Sequence, residues 1–215
     1  MTAVQEETAK YGDILILSGI EEKFTKLSRK VLKGFVWAGE HIDAAYYLKT
    51  DDDCYVFIEN LYKALTNVNI PTNKLLMSYI YPVARIQTFG KWAEFGYFLC
   101  PNYLPYPAGA GYIITQDVVR YLTINSERLM HYNNDDTAIG SWVAPLNIEY
   151  LHDERVKILE WNKSHVCTSW LKHGLNPKTM KKMHFMWLKT KESCNYLRFR
   201  YTQKQLYGEL STNLN

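Results

Sequence analysis

The chain has no apolar run of about 18 residues, so nothing in it reads as a transmembrane helix. Residues 1–12 are polar and charged, which excludes a signal peptide there. No two cysteines are spaced CxxC. Cys54, Cys100, Cys167 and Cys194 stand far apart, which argues against a zinc site. Four cysteines fit two disulfides in an oxidising compartment and equally fit four buried thiols. Internal repeats and low-complexity segments are absent. The formal net charge is only +3, too small to imply a nucleic-acid partner.

What is present suits one catalytic domain over residues 1–215. Apolar residues make up 47% and charged residues 22%, enough to bury a sizeable core without staples. The 17 Tyr and 6 Trp suit either an aromatic core or a cleft in which sugar rings stack on flat faces. Charge is uneven. Lys157 to Lys204 is rich in Lys and Arg, with Glu160 and Glu192 the only acids, either a solvated face or an attraction for an anionic partner. Asn162-Lys163-Ser164 is an N-glycosylation sequon.

Apolar spacing predicts strands at Tyr11–Ile20, Ala44–Leu48, Leu75–Tyr81, Tyr112–Thr115 and Asn147–Leu151. It predicts helices at Lys23–Trp37, Phe57–Leu65, from Val118, and at Thr137–Val143. Phe89–Pro107 mixes aromatics with Pro101, Pro105 and Pro107 and reads as a loop. Strands alternating with helices imply an α/β sheet.

Asp51-Asp52-Asp53 follows the second strand. Three adjacent carboxylates repel one another unless a cation or solvent offsets their charge. In an extended backbone Asp51 and Asp53 share a side, and so can face one divalent ion that grips a diphosphate. The alternative is an exposed acidic turn. Asp135-Asp136 precedes a helical stretch, either as an N-terminal cap or as a source of a general base. A carboxylate–imidazole metal site would draw on His173 or His152, between which composition does not choose.

The order YGDIL, Leu27–Lys30, YYLKTDDDCYV, GKW, YLPYPAGAGY, DDTAIGSWVAP and HDER resembles the β1,3-galactosyltransferase family of inverting GT-A glycosyltransferases. The match is strong over residues 11–155 and weak over 156–215. Within the family it is closest to members that add the second galactose of the proteoglycan linkage region. The resemblance implies a GT-A-type nucleotide-sugar-binding sheet flanked by helices, a UDP-galactose donor and Mn2+. It places the donor at Lys30, Asp51, Asp52 and Asp53, the metal at Asp51, Asp53 and His173, and the catalytic base at Asp136. The acceptor, a galactose on a proteoglycan core protein, falls to Gly109, Gly111 and Asp135, while Trp92, Tyr103 and Tyr106 either shape the acceptor cleft or pack the core. It also implies the lumenal side of the Golgi membrane, with membrane contact only through an anchor. Family members carry that anchor and an opening nucleotide-binding strand before the segment at which this sequence starts, so both are expected to be missing here. Two rival readings are a haloacid-dehalogenase-type phosphatase and a transferase remnant that binds glycan without turnover. The first wants Thr or Val where Tyr55 stands.

Overall fold

A computed structural model describes residues 3–66, 69–97, 99–157 and 165–194. The sequon at Asn162 and the stretch from residue 195 onward lie outside the described residues. In chain order the elements are α1 (Ala3–Tyr11), α2 (Leu27–His41), β1 (Tyr46–Thr50), β2 (Tyr55–Val56) and α3 (Ile58–Leu65). Then follow β3 (Leu75–Ser78), β4 (Ile80–Tyr81), β5 (Ala84–Arg85), β6 (Asn102–Tyr103), β7 (Tyr106–Pro107) and β8 (Gly111–Thr115). The described chain closes with α4 (Gln116–Asn125), α5 (Asp135–Val143), β9 (Glu149–His152), β10 (Val156–Lys157), α6 (His165–Thr168), β11 (Leu171–Lys172) and α7 (Pro177–Cys194).

The central sheet runs β1-β8-β3-β9. β8 is antiparallel to both of its neighbours, whereas β3 and β9 are parallel. Side chains alternate across the sheet, and the alternation sorts the core into two layers. Leu76, Tyr112 and Ile114 face α2, α4 and α5, packing with Leu32, Phe35, Val119, Leu122 and Ile139. Leu75, Met77 and Ile113 face the opposite side, with Leu61 of α3, Trp170 and Leu171. β8 is buried along its whole length because helices or loops cover both faces. Each of its two isoleucines, wholly removed from water, contributes about 1.5–3 kcal/mol.

A second, three-stranded sheet, β10-β11-β2, carries the C-terminal part back to the end of β1. α7 locks onto it through Met183 and Trp187 against the buried Phe57. Asp153, the aspartate of the HDER stretch, has a structural role. It is buried, pairs with Arg155, and accepts a hydrogen bond from the Trp170 indole at 3.0 Å. Cys167 is disulfide-bonded, and Cys54 and Cys100 are free thiols. No helix among the described residues is long and apolar enough to cross a membrane.

Three expectations change. Tyr11–Ile20 is not a strand: α1 ends at Tyr11, Gly12 turns at φ 67°, and Ile16 is 61% exposed. Among the described residues no strand lies beside it to take its backbone hydrogen bonds, and Lys33 instead ties its end to α2 by donating to the Ser18 carbonyl at 2.6 Å. The predicted strand Leu75–Tyr81 divides at Tyr79 into β3 and β4, which join different sheets. The aromatic loop holds two short strands, β6 and β7, which pair with β5 and β4.

Candidate active site

β1 delivers the acidic triplet to the edge of a cleft of about 690 Å³. The triplet is a turn: the Cys54 amide donates to the Asp51 carbonyl at 3.2 Å. The extended backbone expected for it is therefore absent, and Asp51 and Asp53 diverge. Asp51 reaches the Lys49 ammonium at 2.7 Å, while Asp53 meets His173 Nε2 at 3.3 Å. The second sheet explains the latter contact. β11 runs antiparallel to β2 with Lys172 opposite Tyr55, and continuing that register sets His173 beside Cys54 and Asp53.

Asp53, Cys54 and His173 offer ligand atoms within 4.8 Å of one another, and Asp51 is not among them. Burial pushes the Cys54 thiol up to about 11, so it stays protonated and is a poor ligand for a hard ion. Its Sγ donates to the Ala110 carbonyl. That leaves a carboxylate oxygen and an imidazole nitrogen beside the cleft, a donor set suited to Mn2+ with phosphate oxygens completing the shell. His152 lies elsewhere. Its Nδ1 accepts the Ile80 amide proton at 3.1 Å, and its ring packs on Tyr79.

Across the cleft, α5 begins with Asp135 and Asp136. Two asparagines brace this helix start against the GKW loop: Asn133 Nδ2 donates to the Ala93 carbonyl and Asn134 Nδ2 to the Trp92 carbonyl. The buried Glu94 accepts the Asn133 amide proton from the other side. Asp135 pairs with Lys49 at 2.7 Å. Asp136 accepts the Thr137 amide proton at 2.7 Å through Oδ1 and turns Oδ2 toward Gly109. A Cβ on Gly109 would stand 3.1 Å from that oxygen, so any larger residue there would push the Asp136 carboxylate aside by a few tenths of an ångström. Burial, reinforced by the charge of Asp135, raises the Asp136 carboxyl from 3.8 to about 7, where a proton can be taken and given near neutral pH.

An aromatic wall stands beside Asp136. Tyr81 and Tyr106 stack with centroids 5.1 Å apart, and Tyr103 meets Tyr106 edge-on at 5.6 Å. Trp92, 59% exposed, forms the rim, with the Lys91 ammonium over its ring. The fold thus brings Asp51, Asp52, Asp53, Trp92, Tyr103, Tyr106, Gly109, Asp135, Asp136 and His173 to one cleft. Two of the expected residues are not brought there. Lys30 is exposed and pairs with Glu22 at 2.8 Å. Gly111 lies at the buried start of β8, where a Cβ would collide with Leu171.

Sequence reasoning missed Lys49. Its ammonium donates to Asp51 at 2.7 Å and to the Gly109 carbonyl at 2.8 Å, and pairs with the Asp135 carboxylate at 2.7 Å. Burial alone would lower its pKa, but Asp135 and Asp51 outweigh that and hold it above the ordinary value. The signal was a lysine among the apolar residues of the strand, just before the acidic triplet.

The mixed central sheet flanked by helices and ending in an acidic turn is consistent with a GT-A-like glycosyltransferase domain. The family model described as Galactosyltransferase matches residues 1–154, and the chain belongs to that family. It is 31% identical over 154 residues to Beta-1,3-galactosyltransferase 6 of Mus musculus, covering 71% of this chain and 47% of the relative. It is 30% identical over 143 residues to UDP-GalNAc:beta-1,3-N-acetylgalactosaminyltransferase 2 of Xenopus tropicalis, covering 66% and 29%. It is 32% identical over 162 residues to Probable beta-1,3-galactosyltransferase 1 of Arabidopsis thaliana, covering 72% and 41%. The chain therefore spans less than half the length of these relatives.

Proposed function

We propose that this domain transfers galactose from UDP-galactose, with inversion, to the 3-hydroxyl of a galactose in the proteoglycan linkage region. The observation that carries the reading is the pairing of two centres in one cleft, Asp53 with His173 on one side and Asp136 on the other. Asp136 accepts the proton of the acceptor hydroxyl. The acceptor oxygen then forms a bond to the anomeric carbon from the face opposite the nucleotide, and the bond to the diphosphate breaks as UDP takes the electron pair. Mn2+ held by Asp53 and His173 would neutralise charge on the departing diphosphate. Tyr81, Tyr103 and Tyr106 give the acceptor ring flat surfaces and exclude water around Asp136. The disulfide at Cys167 supports a lumenal setting, because disulfides persist in oxidising compartments.

The names of the relatives point to two donors, galactose and N-acetylgalactosamine. The test incubates the chain with Mn2+, a galactosyl-xyloside acceptor and each UDP-sugar in turn. Turnover with UDP-galactose that is lost in Asp136→Asn, while calorimetry still shows Mn2+-dependent UDP binding, supports the proposal. Turnover only with UDP-N-acetylgalactosamine would correct the donor. UDP and glycan binding without turnover from either donor would favour a non-catalytic remnant.

A further inference from the structure

We propose that Lys49 is a positioning residue that joins the donor and acceptor halves of the cleft and sets the charge around the base. This rests on the reading of Asp136 as that base. The Lys49 ammonium donates hydrogen bonds to Asp51 and to the Gly109 carbonyl and forms an ion pair with the buried Asp135 at 2.7 Å, three contacts from one point. They come from different places: Asp51 from the donor-side turn, Asp135 from the start of α5, and Gly109 from the loop before β8. The lysine side chain is only 13% exposed, so water competes little for these bonds.

The geometric link to Asp136 runs through Gly109. Lys49 pins the Gly109 carbonyl, and the bare Cα of that glycine is the wall against which Asp136 Oδ2 rests. The Thr137 amide holds the other carboxylate oxygen. Removing Lys49 frees the wall and leaves the amide.

The electrostatic link is direct. Asp135 faces Asp136 from its own helix, Lys49 from β1, and the phenols of Tyr81, Tyr103, Tyr106 and Tyr112 from β4, β6, β7 and β8. Lys49 is the cation in that set, and it also neutralises Asp51 and Asp135. Without it Asp136 faces uncompensated carboxylates, its proton is held more tightly, and less of the base is free at neutral pH. Arg does not substitute, because a planar fork cannot direct three bonds from one point.

The test compares wild type, K49M and K49R in two readouts. The first is the Asp136 carboxyl titration followed by carbon-detected NMR without metal, which needs no activity. The second is the pH profile of kcat. K49M should raise the titration midpoint by about one unit, a tenfold loss of ionised base at neutral pH, and its kcat should climb with pH only as far as the level of K49R. K49R should keep the wild-type midpoint but lose kcat at every pH. An unchanged midpoint in K49M overturns the electrostatic part, and wild-type kcat in K49R overturns the geometric part. Should K49M not fold, K49Q/D51N replaces it with the same expected midpoint shift, since Asp135 remains unpaired. If the wild type turns over no UDP-hexose, the catalytic reading fails, while the titration still decides what Lys49 does to Asp136.

Discussion

Replacing the proposed base should make the protein more stable, by an amount that depends on pH. Asp136→Asn keeps the shape of the side chain and an oxygen to accept the Thr137 amide proton, but removes the titrating group. In the folded chain burial raises that carboxyl from 3.8 to about 7, whereas the unfolded chain keeps the ordinary value. Below pH 3.8 both states are protonated and nothing is lost. Between 3.8 and 7 the folded state holds a proton that the unfolded state has released. Stability therefore falls with rising pH by about 1.4 kcal/mol per unit. Above 7 the loss is complete, at most about 4 kcal/mol for a shift of this size. Asp136→Asn escapes this loss. Urea melts in chelator should find the variant indistinguishable from wild type at pH 4 and more stable at pH 8, with a melting temperature raised by about 10 °C. The same variant should have no transfer activity, a trade of stability for function common at reactive sites. A stability difference equal at pH 4 and pH 8 would refute the argument, because it would show that Asp136 titrates alike in both states.

Other perturbations reach different parts of the molecule. Gly140→Ala drives a Cβ to 2.6 Å from the Pro105 carbonyl and 2.7 Å from Tyr106 Cβ, so it should cost about 1–3 kcal/mol in a urea melt by prising α5 from β7. Asp153→Ala strands the Arg155 guanidinium and the Trp170 indole, and should cost about 3–5 kcal/mol. Asp53→Ala and His173→Ala should each abolish the Mn2+ enhancement of UDP binding in calorimetry with the melting temperature little changed. Asp51→Ala should retain that enhancement, because Asp51 is turned toward Lys49.

Much of the frame was legible because it rests on local patterning. The helix predicted at Lys23–Trp37 is α2 with a short 3-10 turn before it, and the acidic pair does open α5. The short apolar run after the Gly109 loop is β8, and the one into the acidic triplet is β1, which starts two residues later than expected. Tyr11–Ile20 misled because its composition suits a strand, and a strand needs a neighbour that composition does not supply. The choice between His173 and His152 also lay beyond local pattern. It is made by which sheet each histidine ends, β11 beside the acidic turn or β9 beside Tyr79. Lys49 was hidden for the same reason, since two of its three partners lie far along the chain.

The Asp53–His173 contact joins the first half of the described chain to its last strand. The contact spans 120 residues and exists only where β11 has paired with β2. A chain with its central sheet formed but β11 unpaired would hold an open acidic turn with no imidazole beside it. Affinity for a divalent ion would then be a clock for assembly: it rises only once the last piece is seated, and it distinguishes a finished molecule from one that is merely compact.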